Sequence, residues 1–67
     1  MDAKALGKKI RLARVEMNLT QTQLAKQIAG KQKSISRYET GASIPSLETL
    51  LKLASVLGKP PSHFLEQ

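Results

Sequence analysis

The sequence predicts a small all-α domain, and three observations carry that prediction. Apolar residues return every three or four positions in successive stretches, the spacing of helices that bury one side. Start and stop residues stand at the ends of those stretches, most completely at Leu19-Thr20 and at Gly58. The 67 residues make a single domain, residues 1–67, and so short a chain buries only roughly 60% of the surface its unfolded form exposes. Little room is left for an enclosed catalytic cleft, so a binding role is favoured.

The first helix is expected over residues 3–17. Asp2 can cap its start, and Leu6, Ile10, Ala13 and Met17 share one side, the expected core face. Lys4, Lys8 and Arg11 lie away from that stripe, where they meet solvent or phosphate. Arg14 sits at the edge of the stripe; an unpaired guanidinium there would be costly, so it requires a partner. Leu12 and Val15, with Ala5, make a small apolar strip on the opposite side. Scattered surface leucines are ordinary, and a second binding site there is the lesser reading.

Asn18 is expected in the left-handed region that short polar side chains tolerate. Thr20 and Gln23 form a capping box, and Leu19 with Leu24 forms the matching hydrophobic staple. The second helix then runs to about Ile28, with Leu24, Ala25 and Ile28 inward and the small Ala25 where two short helices cross. A third helix covers residues 32–39 and stops at Gly41. At about 100° per residue, Ile35 and Tyr38 fall on one side, and Gln32, Lys33, Ser36 and Arg37 gather on the other. Tyr38 is expected in the core with its hydroxyl at the edge.

Ile44-Pro45 imposes an extended approach to the next helix. Ser46 caps it, and Glu48 suits the positive end of its dipole. Leu47, Leu50, Leu51, Ala54 and Leu57 give it a wide apolar face, and Gly58 ends it. Pro60-Pro61 opens a short last turn in which Phe64 and Leu65 close the core, with His63 at the surface.

Charge points to the class of partner. Lys and Arg number 11 against 5 Asp and Glu, a net +6. Nine of these cations lie in residues 1–37 against only Asp2 and Glu16, a net +7, while residues 38–67 carry −1. Such asymmetry favours a polyanion. With no cysteine there is no disulfide framework or thiolate metal site; no metal and no cofactor are expected. The start MDAKALGKK lacks the apolar run of a secretory signal, and no stretch approaches the about 18 apolar residues needed to span a bilayer. A cytoplasmic protein is expected. One histidine and no paired carboxylates at helical spacing argue against an enzyme.

Taken together, the basic first helix, Leu19-Thr20-Gln21, Leu24-Ala25, Ile35-Ser36-Arg37, Glu39, Gly41 and Pro45-Ser46-Leu47-Glu48-Thr49-Leu50 resemble the phage-repressor and Cro-like, or Xre-type, helix-turn-helix proteins. The resemblance covers nearly the whole chain without a gap. It implies a five-helix lambda-repressor-like DNA-binding domain with its helix-turn-helix at residues 21–40, a homodimer, and a third helix lying in the major groove. It further implies that Gln32, Lys33, Ser36 and Arg37 contact base edges, and that Gln21 contacts phosphate and braces Gln32. Thr20, Lys31 and Arg11 are expected on the DNA backbone as well. Arg14 and Glu39 match a position pair that forms an internal salt bridge.

The side-chain chemistry agrees: a glutamine amide pairs bidentately with adenine, arginine and lysine suit guanine, and serine reaches either. The plain alternative is a solvated polar face. Two positions depart from the family's pattern. Ala29 stands where the turn usually has glycine, with Gly30 one residue later. Either the second helix ends one residue late, or Ala29 takes a left-handed conformation at about 1–2 kcal/mol. Lys31 stands where a capping Ser or Thr is common.

The expected function is a sequence-specific DNA-binding transcriptional regulator, most simply a repressor that occupies a palindromic operator as a homodimer. Dimer contacts are expected from the fourth and fifth helices, through Leu53, Val56 and Phe64. The alternative is an antitoxin or adaptor that chiefly holds a protein partner and binds DNA for autoregulation, toward which the Leu12-Val15 strip leans.

Overall fold

Three of the five helices start at a residue whose side chain supplies what a helix end lacks. The computed structural model describes residues 1–66 and has five helices: α1 (Ala3–Glu16), α2 (Gln21–Gln27), α3 (Gln32–Thr40), α4 (Leu47–Leu57) and α5 (Pro61–Leu65). The Asp2 carboxylate accepts from the Lys4 amide at 2.9 Å and also from that of Ala5. Thr20 and Gln23 complete their reciprocal box at 3.0 and 2.8 Å. Ser46 Oγ accepts from the Thr49 amide. Asn18 at φ 57° turns the chain out of α1, and Gly41 and Gly58 at φ 81° and 69° close α3 and α4.

One core draws on all five helices, its largest enclosed side chains being Ile10, Leu24, Ile35, Leu53, Leu57 and Phe64. α3 packs against both α1 and α2, while α4 and α5 pack on each other and on α1. The approach of α1 to α3 depends on Gly7, which no side-chain pattern singles out. A Cβ there would lie 2.3 Å from the Tyr38 carbonyl oxygen and 2.6 Å from that of Glu39, far inside contact distance. Glycine is therefore required in the middle of a helix that would otherwise favour alanine.

Several expected core positions are corrected. Met17 is exposed because α1 ends at Glu16 and the chain is already turning toward Asn18. Leu47 and Leu51 are 64% and 46% exposed, since the inward side of α4 is centred on Leu50, Leu53, Ala54 and Leu57 and leaves them at its edge. Leu53, expected as partner surface, is fully enclosed, and so is Phe64. Leu65 is exposed because the five residues of α5 turn one side inward, and Phe64 occupies it. His63 is half-buried, set edge-on to the Phe64 ring with centroids 5.1 Å apart.

The alternative at the turn is settled in favour of Ala29, whose φ is 55°. Ala29 and Gly30 close α2 by donating to the Lys26 and Ala25 carbonyls at 3.2 and 2.8 Å, the pattern that usually places glycine at the first of the two positions. Gly30 has no positive φ, and its nearest neighbour would sit 3.4 Å from an added Cβ.

Ala29→Gly should raise stability by about 1 kcal/mol, because the strain of a left-handed alanine exceeds the extra unfolded-state freedom of glycine. Gly7→Ala should lower it by about 2 kcal/mol, since backbone rather than side chain blocks the new methyl. Urea unfolding of both variants checks the two signs together.

Candidate nucleic-acid interface

α3 divides cleanly. Ile35 is enclosed and Tyr38 is half-buried against the core, whereas Gln32, Lys33 and Arg37 are exposed and Ser36 is partly so. The four expected base-reading residues therefore share the outward side of one helix. Lys31 is the N-cap residue of α3 and provides no side-chain cap. The positive end of the α3 dipole is left open beside Lys31 and Lys33, an arrangement that favours an anionic group. Arg37 is drawn back toward the loop after α3, its Nη2 donating to the Ala42 carbonyl at 3.4 Å. The Thr20 hydroxyl oxygen accepts from the Gln23 amide, which leaves its O–H free to donate. Arg11 is exposed on α1 and joins no ion pair among the described residues.

Behind this face runs a continuous chain of polar contacts. Arg14 Nε donates to Glu39 Oε2 at 2.6 Å and Nη2 donates to Oε1 at 3.0 Å, with the two side chains only 13% and 3% exposed. Arg14 Nη1 donates to the Leu19 carbonyl at 2.8 Å. Gln21 Nε2 then donates to Glu39 Oε1 at 3.1 Å, and Gln32 Nε2 donates to Gln21 Oε1 at 2.7 Å. The chain links the last turn of α1, the end of α3, the start of α2 and the start of α3. The bond to Glu39 raises the Arg14 pKa against the opposing effect of burial, and the carboxylate charge adds to the rise. A raised value keeps Arg14 protonated, so the cationic half of the pair is in place at every pH below the ordinary range of arginine.

Donor and acceptor bookkeeping fixes the direction of each amide. A carboxylate can only accept, so Gln21 must offer its NH2 to Glu39 and its oxygen to Gln32. Gln32 must then give one N–H inward. Its carbonyl oxygen and second N–H are left for an outside partner, the donor-acceptor pair that complements the major-groove edge of adenine.

The resemblance implied the Arg14–Glu39 and Gln21–Gln32 pairs separately. The Gln21–Glu39 bond that joins them is new here, because residues 18 positions apart on different helices leave no periodic signal. Gly7 was signalled only as a glycine inside a helical pattern. Among the described residues no group of three or more His, Cys, Asp or Glu side chains could hold a metal ion, and no helix is long and apolar enough to cross a membrane.

Arg14→Ala should cost about 3 kcal/mol, because the enclosed Glu39 carboxylate would lose its cationic partner and keep only the Gln21 amide. Gln32→Ala, on the exposed side, should stay within about 0.5 kcal/mol. Thermal unfolding separates the structural end of the chain from its outer end.

Residues 10–64 match the helix-turn-helix family. Multiprotein-bridging factor 1 of Candida albicans is 43% identical over 54 residues, 81% of this chain and 36% of that protein. An uncharacterized HTH-type transcriptional regulator of Haemophilus influenzae is 44% identical over 55 residues, 82% of this chain and 56% of that one. The chain thus spans less than two thirds of either relative. The P22 c2 repressor protein, solved in complex with synthetic operator 9T, is similar with a TM-score of 0.87 and 30% identity over 91% of this chain and 92% of the repressor chain. With five helices in the same arrangement and a sequence match across most of its length, the chain belongs to the phage-repressor and Cro-like (Xre-type) helix-turn-helix family of transcription regulators.

Proposed function

We propose that this chain is a sequence-specific DNA-binding repressor that occupies a palindromic operator as a homodimer, with α3 in the major groove. The tethered Gln32 carries the proposal. Its amide is held from behind through Gln21 and Glu39 to Arg14, so it meets a base edge without first losing freedom. Gln32 reads adenine, Lys33 and Arg37 suit guanine, and Ser36 accepts either. Gln21 keeps one N–H for a phosphate oxygen, and Thr20, Lys31 and Arg11 lie along the backbone on either side. The excess of cations in residues 1–37 supplies the sequence-independent attraction. Such a regulator works in the cytoplasm, on the nucleoid when bound.

One recognition helix contacts too few base pairs to be selective, and two held about 34 Å apart read successive major-groove faces. Since Leu53 and Phe64 belong to the core, the apolar surface for pairing is reassigned to Ile44, in the chain before α4, and to Leu47 and Leu51 in its first two turns, all exposed. Changing both Leu47 and Leu51 to Glu should leave the fold intact and shift the protein to monomer in sedimentation, with operator affinity lowered accordingly.

A second reading is favoured by one observation: the Candida relative is named for bridging proteins, and this chain covers only 36% of its length. Here the domain is an adaptor or antitoxin that holds a protein partner and binds DNA for autoregulation. A stoichiometric partner recovered from the native cell, together with no enriched duplex, would favour that reading.

Selection of bound duplexes from a random pool tests the leading proposal. Two inverted half-sites about 10 base pairs apart, centre to centre, are expected, and a pool that never enriches contradicts it. Gln32→Ala and Arg37→Ala should each remove about 1–3 kcal/mol of base discrimination, whereas Lys31→Ala should weaken all sequences alike and lower the salt slope by about 1.

A further inference from the structure

The first turns of α4 carry two stripes side by side. Leu47 and Leu51 are exposed, and at 1.5 Å per residue they stand about 6 Å apart along the helix axis. About 100° further round the helix, with the same spacing, come Glu48 and Lys52, whose side chains are 84% and 54% exposed. Their ion pair within the helix is loose, Lys52 Nζ standing 3.9 Å from Glu48 Oε1, so both charges stay open to a partner. On the other side of the leucines the helix turns to Leu50 and Ala54, which are enclosed.

Balance of charge identifies the occupant. From Gly41 to Gly58 these two residues are the only charged ones. Lys4, packed on Gly41, and Arg37, bonded to the Ala42 carbonyl, meet this segment ahead of Ile44. A strip with one charge of each sign complements neither a polyanion nor an acidic helix; it complements its own inverse. In a two-fold interface residue i meets residue j, and j meets i. A two-fold axis perpendicular to α4 runs two copies antiparallel and brings the same flank of each together. Glu48 of each copy then faces Lys52 of the other, and Leu47 of each faces Leu51 of the other. A parallel pair would set the charged flank of one copy against the Leu50 and Ala54 flank of the other, which its own core already occupies.

We propose that two copies of this chain pair through antiparallel α4 helices, with the exposed leucines interleaved and two Glu48–Lys52 ion pairs exchanged across the two-fold axis. The proposal rests on the homodimer reading and adds the register to it. Exposed ion pairs are worth little each, but like charges in their place repel, so the exchange selects this register over others.

Charge reversal on the full chain tests it. Lys52→Glu leaves two carboxylates on the flank, and Glu48→Lys leaves two ammonium groups. Sedimentation at low salt, where exposed charges are least screened, should show either variant associating with itself about tenfold more weakly than the parent. An equimolar mixture of the two should regain the parent's association as mixed pairs, identified by native mass spectrometry with one variant isotopically labelled. Mixing cannot mend a helix that a substitution has weakened, so its rescue separates lost pairing from lost folding. Variants that each associate as the parent does, or a mixture no stronger than its components, overturn the exchanged register and leave the homodimer reading standing. A parent that is monomeric both in solution and on its selected operator overturns the two together.

Discussion

The largely enclosed pairing of Arg14 with Glu39 is the constraint on which the helix-turn-helix arrangement depends. Two charges withdrawn from water are tolerated only when nearly every donor and acceptor between them is used. Here Arg14 makes two bonds to Glu39 and one to the Leu19 carbonyl, and Glu39 gains a further donor from Gln21. These contacts come from α1, the chain between α1 and α2, the first residue of α2 and the end of α3. Satisfying one ion pair therefore fixes three helices relative to one another. The close approach that brings α1 to α3 is permitted at Gly7, where any side chain would strike the backbone of Tyr38 and Glu39.

The start of α3 is held differently from its end. Ala29 occupies a left-handed position that glycine would fill without strain, and Lys31 supplies no cap. Neither device that ordinarily defines a turn into a helix is present in its usual form. The Gln32–Gln21 bond compensates by tying the first residue of α3 to the network anchored at its far end. Orientation of the proposed reading face thus comes from tertiary hydrogen bonds more than from turn chemistry. The same departures place cations at an open helix terminus, which suits a phosphate-rich partner.

Much of the fold was legible because it is written in local chemistry. Asp2, Thr20 with Gln23, Ser46, Gly41 and Gly58 each act within a turn of their own position, and each does what its residue type implies. Errors arose where the outcome depended on the third dimension. An apolar stripe on α4 does not say which of its leucines lies at the centre, so Leu53 and Leu51 exchanged their expected places. The two residues of the Phe64-Leu65 pair compete for one inward position, and periodicity cannot choose between them. At the candidate site, the outward placement of Gln32, Lys33, Ser36 and Arg37 followed from helical spacing. The bond uniting Gln21 with Glu39 did not, because it joins helices that only the folded chain brings together.

In the proposed function, the polar chain behind α3 holds Gln32 in position to recognise a base. A double-mutant cycle between Gln21 and Gln32 tests it most directly, read as the ratio of affinity for the selected operator to affinity for random duplex. If Gln21 acts by holding Gln32, replacing either with alanine removes most of what both together remove, giving a coupling of about 1 kcal/mol or more. Strict additivity, with each residue contributing alone to specific binding, would contradict the account.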